Sequence, residues 1–163
     1  MSQVYLSQFS RRAGIADTAS FAMNAIPAPL DTYIQYNRRD KFGAEVHFRY
    51  IYPVHSFQQG NNANALGYWS HAEGSSSIAY GTASYAGGFN TIASGAYAHS
   101  EGYFTNARGD YSHAEGYLTL ARSQGSHTEG NQTTASGLYA HAEGGGAIAS
   151  GSFSHAEGAN TIA

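Results

Sequence analysis

The chain has 163 residues, no cysteine, 20 glycines, 13 tyrosines against one tryptophan, 12% charged residues and a formal net charge of −3. This composition excludes a disulfide scaffold and a thiolate metal site, and it is too poor in large aliphatic residues for a broad globular core. Charge divides unevenly, with six Lys/Arg against four Asp/Glu in residues 1–55 and two against seven in 56–163, an imbalance too mild to point to nucleic acid.

Residues 1–8 lack the basic start and apolar run of a secretion signal, and no apolar stretch is long enough to cross a membrane, so membrane insertion is not expected. Residues 17–23 suggest a short helix, and Pro27 and Pro29 mark a turn-prone stretch. Further on, Val46, Phe48, Tyr50 and Tyr52 alternate with Glu45, His47, Arg49 and Ile51. That alternation predicts a strand over 44–52 with one buried face, paired as a hairpin with 32–36 across residues 37–41. Arg38, Arg39 and Lys41 read as a solvated turn, or alternatively as a docking surface for a larger assembly. Pro53 ends the strand. Residues 1–55 are therefore read as a non-repeat, β-containing N-terminal domain for attachment or capping.

Residues 56–163 carry a fourteen-residue unit in eight copies without an insertion, the last incomplete. Numbering the unit from one to fourteen, position five is always glycine: Gly60, Gly74, Gly88, Gly102, Gly116, Gly130, Gly144 and Gly158. Position ten is always alanine (Ala65, Ala79, Ala93, Ala107, Ala121, Ala135, Ala149 and Ala163), and position twelve is glycine except at Ser123. A period this strict predicts an all-β solenoid, a parallel β-roll in which each unit is one coil stabilised by its neighbours.

Positions one, three, eight and ten share the inward face of two short strands. From Ser70 onward they are all Ser, Thr or Ala, so Ala72, Ala79, Ala93, Ala107, Ala121, Ala135 and Ala149 are expected to line a thin interior with no room for anything larger than Thr. The threonine column (Thr91, Thr105, Thr119, Thr133 and Thr161) falls inside for the same reason. Glycines at positions five and twelve are expected to supply positive φ at sharp corners. Coils stacked about 4.8 Å apart give an array about 35–40 Å long.

Outward, positions two and four give His71, His99, His113, His127, His141 and His155 beside Glu73, Glu101, Glu115, Glu129, Glu143 and Glu157. A buried alanine methyl stabilises by somewhat under about 1 kcal/mol, whereas ordering each residue costs about 1–2 kcal/mol. A lone roll is thus underbuilt, and a second buried surface against other copies is expected. The nearly invariant His/Glu strand is placed at the symmetry axis, as a ladder of interchain hydrogen bonds that fixes register. A transition ion held by axial histidines is the alternative, and no metal or cofactor is assigned. Recurring glutamates in like environments do not make an acid/base pair, and no catalytic motif is present, so no enzyme is expected. Aromatics recur at position fourteen (Trp69, Tyr97, Tyr111, Tyr139 and Phe153) and at position six (Phe89, Tyr103 and Tyr117). They are expected to brace the stack, or to contact sugars where exposed.

The Ser-His-Ala-Glu-Gly and Thr-x-Ala-x-Gly runs over 56–163 resemble repeats of bacteriophage tail fibres and prophage proteins. They are also similar to the left-handed parallel β-roll of YadA-type trimeric autotransporter adhesin heads. The resemblance implies a homotrimeric fibre in a virion, attached to other particle proteins through residues 1–55 and reaching a host receptor or glycan, or else the head of an adhesin on a bacterial surface. This chain departs from the pattern at Tyr85 and Gly87, which replace His and Glu, and at Ser123 with Gln124 and Gly125.

Overall fold

A computed structural model describes the backbone of residues 31–38 and 41–163, with side chains from Arg49 onward. All regular elements among the described residues are β-strands. β1 (Asp31–Arg38) and β2 (Lys41–Ile51) form an antiparallel hairpin as expected, but pairing runs from Asp31 opposite Ile51 to Arg38 opposite Lys41, so Arg38 and Lys41 are paired strand residues and not part of a turn over 37–41. The helix expected at 17–23, and Arg39 of the turn, lie outside the described residues.

Eight long strands follow, each from one unit: β3 (Ser56–Asn61), β5 (His71–Ser75), β7 (Tyr85–Phe89), β9 (His99–Tyr103), β11 (His113–Tyr117), β13 (His127–Asn131), β15 (His141–Gly145) and β17 (His155–Ala159). Between them run two-residue strands: β4 (Asn64–Ala65), β6 (Ile78–Ala79), β8 (Ile92–Ala93), β10 (Asn106–Ala107), β12 (Leu120–Ala121), β14 (Thr134–Ala135) and β16 (Ile148–Ala149). Long strands pair in parallel with long and short with short, always fourteen residues apart, so each unit is one coil of a parallel solenoid. The hairpin is not separate from this stack. β2 pairs antiparallel with β3, so one ten-stranded sheet runs from β1 to β17 and the long strand of the first coil is covered rather than left as an open edge.

The interior is as thin as the sequence requires. Thr is the largest side chain that is fully buried, and the seven predicted alanines from Ala72 to Ala149 are all wholly inaccessible. Serines at position one close the return turn: the Ser70 hydroxyl donates to the Gly67 carbonyl at 2.7 Å, and Ser84 repeats the bond to Gly81.

The glycines differ from expectation. Position five has positive φ, between 96° and 120°, but it lies inside the long strand rather than at a corner. Position twelve is not in that region. Glycine is required there by close approach, because a Cβ on Gly95 would lie 2.0 Å from the Gly109 carbonyl oxygen of the next coil. The left-handed corners fall instead at positions seven and fourteen, on residues such as Asn90, Phe104, Tyr97 and Tyr111. Each such residue costs about 1–2 kcal/mol in backbone strain. Ladder bonds continuing through the corners offset part of it, as when Tyr111 N–H donates to the Ala96 carbonyl at 2.8 Å.

Candidate functional site: a stacked ring column flanked by carboxylates

In-register pairing superposes position two of every coil, so each side chain meets its equivalent one coil away. The histidines therefore stack. Ring centroids are 4.7 Å apart from His99 to His113 and from His113 to His127, 4.5 Å from His127 to His141, and 4.8 Å from His141 to His155. The column does not break where the sequence departs from histidine. Tyr85 lies 5.3 Å from His71 and 4.7 Å from His99, and Phe57 caps the end 5.0 Å from His71. From the sequence Tyr85 reads as a departure from the pattern, and Phe57 is not among the residues expected in the ladder. The signal was available, since both are flat rings at position two.

Gly87 belongs to the same adjustment. A Cβ there would lie 2.4 Å from the Tyr85 hydroxyl oxygen, so loss of the glutamate makes room for the larger ring. The Tyr85 hydroxyl donates to Glu73 Oε1 of the preceding coil. Burial, then this bond and the charges of Glu73 and Glu101, push the phenol well above its ordinary range.

Five of the six glutamates lie within ion-pair distance of the histidine of their own strand, Glu157 at the last coil being the exception. Nε2 to Oε2 distances are 3.3 Å for His99 and Glu101, 3.5 Å for His113 and Glu115, 3.6 Å for His71 and Glu73, 3.7 Å for His127 and Glu129, and 3.8 Å for His141 and Glu143. Only the His99 pair is within hydrogen-bond reach, and because a carboxylate only accepts, Nε2 is its donor. The Nε2 atoms of His71, His113, His127 and His141 are buried and, with their glutamates just too far away, lack a hydrogen-bond partner, although the rings as a whole are half-buried. Burial lowers the His127 pKa, with the neighbouring His113 charge second, against the raising effect of Glu129, Glu115 and Glu143. His141 is lowered by burial, then by His127 and His155, against Glu129 and Glu143.

Among the described residues, His141, Glu143 and His155 bring three candidate metal-ligand atoms within 4.8 Å of one another. The two imidazoles are 3° from parallel, so their in-plane lone pairs run side by side instead of converging on one point. A shared ion would require the stack to tilt open. This grouping also joins two levels of one chain, unlike the single-level arrangement considered from sequence.

Exposed aromatics flank the ring column at both corners. Tyr97 and Tyr111 stack at 5.2 Å, Phe89 and Tyr103 at 5.0 Å, Tyr103 and Tyr117 at 5.4 Å, and Tyr139 and Phe153 at 5.5 Å. They brace the stack as expected. Ring faces inside these ladders are occupied by neighbouring rings, so what they offer a ligand is mostly edge. Comparison of the chain with protein-family models, with curated proteins and with solved structures found no match.

Proposed function

We propose that this chain is a structural β-roll that assembles as a homotrimer and forms the stiff part of a fibre or spike on a phage or phage-like particle. Residues 1–55 attach to other particle proteins, and the roll projects outward toward a host receptor or glycan. The observation that carries this reading is the contrast between an interior limited, from Ser70 onward, to Ala, Ser and Thr and an outer face of half-buried imidazoles, four of whose Nε2 atoms lack a hydrogen-bond partner. Exposed Tyr97, Tyr103, Tyr111 and Tyr117 widen that face into an apolar patch of the kind that marks an association surface. Three copies packed on it gain the buried area that a single thin roll lacks. The repeated His/Glu strand lies in the contact between copies, where its polar groups penalise any slip in register.

Sedimentation of the purified chain in dilute solution tests the assembly, with a trimer expected. A folded monomer with full β-structure overturns it. Labelling the chain in intact particles tests the location: label at a tail or surface fibre supports the reading, whereas label on the bacterial surface favours an adhesin head. Hydrolysis of bacterial surface polysaccharide by the pure protein would replace the structural role with an enzymatic one.

A further inference from the structure

The solenoid contains only two cationic Lys/Arg side chains, Arg108 and Arg122, and they occupy the same position of adjacent coils. Each follows a short strand, and Ala107 pairs directly with Ala121, so the two guanidinium stems leave the sheet one coil apart, about 4.8 Å. Like charges in such a ladder oppose one another unless an anion neutralises them. Among the described residues none does. The ion pairs among the described side chains are all between histidine and glutamate, and nearby Asp110 is engaged elsewhere, accepting from Ala96 N–H at 2.8 Å. Beside Arg108, the Asn106 Oδ1 is buried and also lacks a partner.

The matching anions are on the other sheet, at the same two levels. Of the five glutamates set against a histidine, Glu101 and Glu115 are the most exposed, with side chains 57% accessible against 40% for Glu73, Glu129 and Glu143. Glu101 shares its unit with Arg108, and Glu115 shares its unit with Arg122. Exposed Tyr103 and Tyr117 follow these glutamates two residues on, and a carboxylate next to an aromatic ring is a good seat for a guanidinium. In one chain the two pairs cannot meet, because the sheets are back to back. Between chains they can: a rotation about an axis parallel to the stack carries each coil to the same height in the next copy. A head-to-tail contact that joins opposite edges then closes into a ring.

We infer that Arg108 and Arg122 of one copy pair with Glu101 and Glu115 of a second copy at the same height, and that these contacts set the register in which the chains assemble. This rests on the homo-oligomeric reading above and identifies which edges meet. The remaining glutamates stay with their histidines, and the central coils become the locking point of the fibre.

The test is charge exchange in the full chain, read by sedimentation equilibrium and native mass spectrometry. Arg108→Glu with Arg122→Glu, and separately Glu101→Arg with Glu115→Arg, are each expected to weaken assembly at least about tenfold, and the fourfold exchange is expected to restore it to within about threefold. The uncharged pair Arg108→Gln with Arg122→Gln should weaken assembly less and remove most of its salt dependence. All four positions are exposed or half-buried, and far-ultraviolet circular dichroism checks that each variant keeps its β-structure. An oligomer indifferent to both reversals, or reversals that are not rescued by combination, overturns the pairing while leaving the oligomer standing. Binding of an acidic polysaccharide by the intact oligomer that is lost in the arginine variants overturns it in favour of a ligand site. A monomeric wild type overturns the oligomeric reading itself.

Discussion

The long-strand and short-strand sheets share one interior and differ in what they turn outward. Inward, both supply Ala, Ser and Thr at every level after the first coil, where Gln58 is buried, because coil after coil must fit the same narrow gap. Outward, six of the eight long strands repeat His and Glu, with Phe57/Gln59 and Tyr85/Gly87 as the exceptions, while the short strands vary from Ile78 and Ile92 through Asn106 and Leu120 to Thr134. The constraint on the inside is geometric and would hold for any roll of this thickness. The constraint on the long-strand exterior is different in kind, since ring stacking and pairing with a carboxylate are not needed to close a coil. Uniformity inside therefore reports the fold, and uniformity outside reports what the fold is used for.

The largest expected effect breaks this comparison within two adjacent residues. Ala121 is fully buried and Leu120, next to it in β12, is half-buried on the outer face. Ala121→Leu forces three extra carbons between sheets that have no cavity to receive them and should destabilise by about 1–3 kcal/mol or more, seen as a clear fall in melting temperature. Leu120→Ala should cost under about 1 kcal/mol in the dissociated chain. Equal effects would show that the interior is not the rigid partner.

Much of this was legible from residue spacing. A period of fourteen with small residues at positions one, three, eight and ten gives the solenoid, its interior and the hairpin before it, because alternation and side-chain volume are local properties. The corners were misread. Glycine suggests positive φ, and nothing local distinguishes a glycine needed both for φ and for the close passage of the next backbone, such as Gly102, from one needed for the close passage alone, such as Gly95. That distinction depends on the neighbouring coil. The same holds for the left-handed tyrosines at position fourteen, whose sequence alone disfavours that conformation. In the ring column the histidines were legible, but their continuity through Tyr85 and Phe57 was not, because residue identity was weighed above ring shape.

A smaller effect should follow from pH. His127 and His141 have pKa values below the ordinary 6.5 in the folded chain, through burial first and the adjacent imidazoles second. Between the lowered value and about 6.5 the unfolded chain binds more protons than the folded one, so stability from this source is complete above about pH 6.5 and is lost as pH falls through that window. Melting temperature should therefore decline on acidification from pH 7 toward pH 5. His127→Gln with His141→Gln should flatten the decline, since only the lowered groups contribute it in this sense. A melting temperature that rises on acidification would mean that Glu115, Glu129 and Glu143 dominate, making the column a set of charged pairs instead of a stack of neutral rings.

The smallest effect concerns the coil within the array where the long-strand face departs from its pattern, at Tyr85 and Gly87. If Tyr85 and Gly87 are a matched pair, neither should be freely exchangeable alone. Gly87→Glu places a side chain where the Tyr85 hydroxyl now lies and displaces it from Glu73, at an expected cost of about 1 kcal/mol. Tyr85→His alone keeps a ring in the column but removes the bond to Glu73 and leaves space above Gly87. Restoring both, Tyr85→His with Gly87→Glu, recreates the neighbouring coils and should cost less than the sum of the single changes, a coupling of about 0.5–1 kcal/mol in a double-mutant cycle of melting free energies. Strict additivity would mean that the two departures are independent, and that the column tolerates a tyrosine through its own slack instead of through the glycine beside it.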